Sequence, residues 1–165
     1  MNSPIEHGGT INYRKRKSAR PFDPHLPIHV VLRSEKAKGK NSMLRKKHKS
    51  EIEKLLYCLA NKYEIKIYEF ANSGNHLHLL IRAKIKFQLQ NFFREFAGRI
   101  SLMIYKGKRK FWTSKVYTKI IKWGRHFKNV SIYVIQNNLE SLKLIPYQSR
   151  NCLNSTKPFV VLDST

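Results

Sequence analysis

The sequence predicts an α+β fold of the ferredoxin-like (split βαβ) kind: an antiparallel sheet with helices on one face, plus an extra C-terminal helix. Two observations predict it. Short runs of apolar and β-branched residues have strand length, and longer stretches repeat apolar residues at helical spacing. They follow one another as β-α-β-β-α-β-α, and the first six elements of that order are the split βαβ arrangement.

Residues 1–25 read as a flexible basic arm, with Pro4, Gly8, Gly9, Pro21 and Pro24 around the cluster Arg14, Lys15, Arg16, Lys17 and Arg20. Such a segment suits phosphates better than a core. A folded domain is expected over 26–146 and a polar tail over 147–165. The first strand is Ile28-His-Val-Val-Leu32, β-branched and apolar. A linker from Arg33 to Lys49 then carries eight Lys/Arg in seventeen residues. Ile52, Leu55, Leu56 and Leu59 recur at helical spacing, which predicts an amphipathic helix from Ser42 to about Lys62. Ile65 to Phe70 alternates as a second strand, and Asn72-Ser-Gly-Asn75 has hairpin-turn composition.

That turn leads into Asn75-His-Leu-His-Leu-Leu-Ile81, a third strand antiparallel to the second. Phe92, Phe93, Phe96, Ile100 and Met103 mark the core face of a helix from Phe87 to about Tyr105. A cationic loop follows, with Lys106, Lys108, Arg109 and Lys110 just ahead of Phe111-Trp112. Val116 to Trp123 reads as the fourth strand and carries Lys119 and Lys122. Gly124 breaks it, and residues 126–143 form the last helix, with Phe127, Val130 and Val134 on its inward side.

The chain of 165 residues is about one domain's worth and can bury a core without staples. Its 33 Lys+Arg against 10 Asp+Glu give a net charge of +23, and so large an excess opposes compaction unless a polyanion neutralises it. Nucleic acid is the leading partner. A membrane is the weaker one, because no 18-residue apolar run stands out. The N-terminus shows no apolar signal region, so a cytoplasmic, nucleoid-associated location is expected. Cys58 and Cys152 form no CxxC pair and read as free thiols in a reducing compartment.

His76 and His78 are two apart in a strand, so both imidazoles project from one face. Together they make half of a metal site; the alternative is one core histidine and one solvated one. Tyr133 and Asn137 are four apart on one face of the last helix, distinct from its inward stripe. If that helix crosses the open face of the sheet, a phenol, an amide oxygen and two imidazoles converge. That set is coherent for phosphoryl transfer, with a metal as Lewis acid and the tyrosine as nucleophile. The loop cations beside Trp112 suit phosphate contact and base stacking on single strands, although Trp112 equally suits capping the core. Lys119, Lys122, Arg125 and Lys128 supply positive field near the helix, and His126 lies seven residues before Tyr133. His29 reads as a core or sheet-face histidine, with lining of a DNA groove as the alternative.

On these residues the chain resembles the single-tyrosine HUH transposases of the IS200/IS605 type, and more closely the REP-associated tyrosine transposases. The likeness rests on the strand Asn75–Ile81 after its Gly-containing turn, the Phe-rich helix, and Tyr133-x-x-x-Asn137, and it spans roughly 27–143. It implies a metal-dependent single-stranded DNA nickase and strand transferase that uses Mg²⁺ or Mn²⁺. It further implies His76, His78 and Asn137 as metal ligands and Tyr133 as the nucleophile that forms a 5′-phosphotyrosine. Insertion-sequence members carry Gln where this chain has Asn137; the REP-associated branch carries Asn. The expected partner is single-stranded or hairpin DNA, and monomer and homodimer both remain open. Two other readings compete. One is a non-cutting, DNA-binding descendant of the same family. The other is an RNA-binding ferredoxin-like domain, weakened by the lack of an RNP1-like run.

Overall fold

The computed structural model describes residues 5–11, 18–106 and 110–148. Its elements are β1 (Glu6–Gly9), β2 (Ile28–Arg33), α1 (Lys46–Lys62), β3 (Lys66–Asn72), β4 (His76–Arg82), α2 (Lys86–Tyr105), β5 (Lys115–Ile120) and α3 (Arg125–Ser141), with a short 3₁₀ turn at Gly39–Asn41. The strands form one sheet in the order β1-β5-β2-β4-β3, with every neighbouring pair antiparallel. Strands β2 to β5 have the expected split βαβ order; β1 is an addition on the edge of β5.

Strand alternation makes one face of this sheet dry. Ile28, Val30 and Leu32 of β2 and Leu77, Leu79 and Ile81 of β4 all point to it and are buried. Against them lie Ile52, Leu55, Leu56 and Leu59 of α1 and Phe92, Phe96 and Ile100 of α2, in a single core. Phe92 and Phe96 stack with centroids 5.5 Å apart. The odd-numbered positions His29, Val31 and Arg33 of β2 and the even-numbered His76, His78 and Leu80 of β4 therefore share the other face. There α3 crosses, held mainly over β3 and β4.

Three boundaries differ from expectation for local reasons. α1 starts at Lys46 rather than Ser42, because Met43 is drawn into the core and its N–H donates to the Gly74 carbonyl at 2.9 Å. β5 ends at Ile120: Ile121 is buried and donates its N–H to the Pro27 carbonyl, while Trp123 turns out to pack against Phe127 and Tyr68. The third difference is the segment expected as a flexible arm, part of which is built into the sheet. Glu6 and His7 pair with Lys119 and Thr118 of β5. Arg20, grouped by sequence with the phosphate-seeking cations, instead donates from Nη1 to Thr118 Oγ1 at 2.6 Å and from Nη2 to the Val116 carbonyl at 3.1 Å. Its guanidinium also lies over the Phe93 ring.

The approach of β1 to β5 depends on Gly8. Its φ is +85°, and a Cβ there would sit 2.1 Å from the Val116 carbonyl oxygen. That oxygen is backbone, so it cannot swing away. Gly8→Val should peel β1 off and cost about 2 kcal/mol locally. Hydrogen exchange reads the effect: the Ile120 amide, which donates to the Ile5 carbonyl at 2.9 Å, should lose protection while amides of β2 keep theirs.

Candidate active site

The site begins at the turn before β4. Gly74 has φ +86°, and an added Cβ would meet Leu44 Cδ1 at 3.1 Å, so this position requires glycine. Asn72 Oδ1 accepts the Gly74 N–H, and Asn72 Nδ2 donates to the Met43 carbonyl, both within 2.9 Å. The turn is thereby pinned to the segment leading into α1, and β4 enters the sheet in a fixed register. Since a one-residue slip would turn every side chain to the other face, this pinning decides that His76 and His78 point away from the core.

The two imidazoles stand edge to face, with centroids 4.7 Å apart and planes at 82°. His78 is only 4% exposed, whereas His76 is half-buried. His76 Nδ1 meets Asn75 Oδ1 at 2.5 Å. From β2, His29 Nε2 approaches His78 Nδ1 at 3.3 Å, with ring planes within 7° of parallel. From above, Tyr133 of α3 sets its ring edge-on to His78 at 5.4 Å and to His29 at 6.0 Å. Asn137, one turn on, is buried, and its Nδ2 donates to the Tyr133 carbonyl at 2.7 Å, which leaves Oδ1 as the atom able to ligate a cation.

What holds α3 in place lies on its other flank. Val134 is fully buried, Ser131 Oγ donates to Glu69 Oε1 at 2.8 Å, and Phe127 packs with Trp123 and the Tyr68 ring. Tyr133 and Asn137 were expected on a face distinct from the Phe127/Val130/Val134 stripe. Instead Asn137 and Val134 are the buried residues of α3. At 100° per residue all five positions span one arc of about 120°. That arc lies against the sheet, with Phe127 meeting Tyr68 of β3 and Tyr133 meeting His78 of β4.

The electrostatics hold His29, His76 and His126 toward the neutral form. Burial, followed by Lys119 and His126, pushes His29 down to about 4. Burial and then the Arg33 charge lower His76, and burial with Lys119 and Lys122 lowers His126. Neutral imidazole is the metal-binding form. Depressed values also make stability pH-dependent. Between pH 6.5 and about 4 the unfolded chain protonates at His29 while the folded chain does not, so stability present above 6.5 is lost as pH falls, by roughly 3 kcal/mol. Urea unfolding across that window should show the loss, and His29→Gln should reduce its slope.

Among the described residues no three His, Cys, Asp or Glu side chains gather as a complete metal cage. The residues still fit a catalytic divalent ion: two imidazoles on one face and the amide oxygen of Asn137, one helical turn from Tyr133, offer a partial donor set, which leaves positions for phosphate oxygens and water.

The expected DNA contacts divide. Lys119 stands opposite His29 in register and on the same face, ion-paired to Glu6 at 2.7 Å. Lys122 and Arg125 are exposed beside the start of α3. Lys106 and Lys110 are exposed at the end of α2. Trp112 is a packing residue: its Nε1 donates to the Ala97 carbonyl at 2.9 Å and its ring lies against Phe111 in the core. Arg14, Lys15, Arg16, Lys17, Lys108 and Arg109 lie outside the described residues, as does Cys152; Cys58 is exposed. Sequence reasoning passed over Arg33, assigned to a linker. It sits opposite His76 on the active face, exposed, and its signal was the strand alternation running on for one more residue.

The family model described as "Transposase IS200 like" matches residues 24–143. The fold is similar to that of a REP-associated tyrosine transposase solved bound to a REP hairpin, with TM-score 0.60 at 10% identity over 78% of this chain and 74% of that one. A candidate transposase from Deinococcus radiodurans gives TM-score 0.45 at 13% identity over 74% of this chain and 98% of that one. At 10% identity the first of these likenesses is one of fold alone. No curated protein matches the sequence. No helix among the described residues is long and apolar enough to cross a membrane.

Proposed function

The chain belongs to the family of IS200-like transposases, and on that footing we propose that it is a metal-dependent single-stranded DNA nickase and strand transferase acting through Tyr133. One observation carries the reading: the Tyr133 ring stands 5.4 Å from His78, which in turn lies 4.7 Å from His76, so residues from two separate elements meet on the open sheet face.

The chemistry follows from the groups present. Tyr133 Oη attacks a phosphodiester in line; the Oη–P bond forms as the P–O3′ bond breaks. The phenol gives up its proton, and the departing 3′-oxygen takes one up. The 5′-phosphate stays on the tyrosine, so the phosphodiester energy is kept and a later 3′-hydroxyl reverses the step to join strands. His76, His78 and Asn137 would hold Mg²⁺ or Mn²⁺, which supplies Lewis-acid polarisation of the phosphate. Arg33, Lys122 and Arg125 grip the flanking phosphates, contacts that position the strand without reading its sequence. Asn137, in place of Gln, and the likeness to a hairpin-bound relative favour hairpin DNA as the substrate.

The test is covalent capture on denaturing gels with hairpin oligonucleotides labelled at either end. An adduct carrying the 3′-side fragment, formed in Mn²⁺ and abolished by EDTA, is the expected result. Tight binding with no adduct on a broad pool of hairpins would leave a DNA-binding relative that has lost its chemistry.

A further inference from the structure

We propose that His29 is a positioning residue for the metal pair: its Nε2 accepts a hydrogen bond from Nδ1 of His78 and so holds His78 in the tautomer that offers Nε2 to a cation. This rests on the reading of His76 and His78 as ligands.

The β2–β4 register sets His29 opposite Leu80, and therefore diagonal to His78 on the same face. The two ring nitrogens are 3.3 Å apart and the ring planes within 7° of parallel, so the imidazoles meet edge to edge. A neutral imidazole has one nitrogen that donates and one that accepts, and a bond at Nδ1 decides the role of Nε2. If His29 donated, His78 Nε2 would carry the proton and could not ligate. If His78 donates, its Nε2 lone pair is available.

The neighbouring ligand gives an independent guide to the direction. His76 Nδ1 faces the Asn75 side-chain oxygen at 2.5 Å, and an amide oxygen can only accept. His76 therefore donates from Nδ1 and presents Nε2. Both histidines are held by the same atom, one through the amide of the preceding residue and the other through an imidazole from the adjacent strand. Outer partners of this type orient metal-bound histidines, and their loss usually weakens metal binding about 10–100-fold. His29 also lies edge-to-face with Tyr133 at 6.0 Å, so the same ring braces the nucleophile.

A residue that merely fills space would be replaced equally well by any side chain of similar size, and this separates the two roles. Mn²⁺ binding by the full chain should weaken ~10–100-fold in His29→Leu and stay within ~3-fold of wild type in His29→Gln, whose amide oxygen accepts from Nδ1. His76→Gln, which removes a ligand, should lose Mn²⁺ more completely than either. Nitrogen-15 spectra of the metal-free protein provide a second readout. The His78 proton should reside on Nδ1 in wild type and His29→Gln, and shift toward Nε2 in His29→Leu. If His29→Leu binds Mn²⁺ as wild type does while His76→Gln fails, the ligand reading stands and the role of His29 is overturned. If wild type binds no Mn²⁺, the ligand reading falls and the proposal with it.

Discussion

Tyr133→Phe should abolish covalent capture of DNA, lowering adduct formation by ~10³-fold or more, because it removes the proposed nucleophilic oxygen and keeps the ring. The aromatic ring remains, and with it the edge contacts to His78 and His29. α3 stays docked through Val134, the Ser131–Glu69 hydrogen bond and the Phe127 cluster, none of which involves the phenol oxygen. Folding stability should therefore change by less than about 1 kcal/mol and affinity for a hairpin by less than ~3-fold. The informative comparison is Tyr117→Phe. Tyr117 lies opposite Val31 on the same sheet face, but burial and the Glu6 carboxylate push its hydroxyl up to about 12, making it a poor source of phenolate. An adduct lost in Tyr117→Phe and kept in Tyr133→Phe would reassign the nucleophile and break the proposed chemistry.

What could be read from the sequence was what is local. The hairpin turn and the His76/His78 strand follow from a few adjacent residues, since glycine at φ +86° and period-two alternation need no distant partner. β1 was illegible because Glu6-His-Gly-Gly9 has no β-branched residue; it is a strand only because β5, more than a hundred residues away, accepts it. His29 was read as a histidine of the core or sheet face. Nothing in Ile28-His-Val-Val-Leu32 reveals that its partner is His78, 49 residues later. Trp112 could be read two ways until the Ala97 carbonyl was seen to hold its indole. The polar pair of α3 was singled out by its spacing of four. Its relation to the apolar stripe depended on how wide an arc the sheet covers, a tertiary fact.

His78→Gln should separate metal binding from DNA binding more cleanly than any other single change. The side chain lies in the angle between His76, His29 and Tyr133 and is almost completely enclosed, so truncation to alanine would confound ligand loss with a cavity. Gln fills nearly the same volume and supplies an amide N–H to His29 Nε2, which limits the stability loss to about 1–2 kcal/mol. It cannot present an imidazole nitrogen, so Mn²⁺ affinity should fall by ~100-fold or more and cleavage with it. Hairpin affinity measured in EDTA should be nearly unchanged, because the phosphate contacts proposed above are assigned to cations around the face. Arg33→Ala should behave in the opposite way. It leaves both imidazoles in place and removes one exposed charge opposite His76, so Mn²⁺ binding survives while DNA affinity and its salt slope decline, the slope by about one. If both variants lost DNA binding together, metal and strand would be bound as one cooperative unit, and the division of labour between the histidines and Arg33 would be wrong.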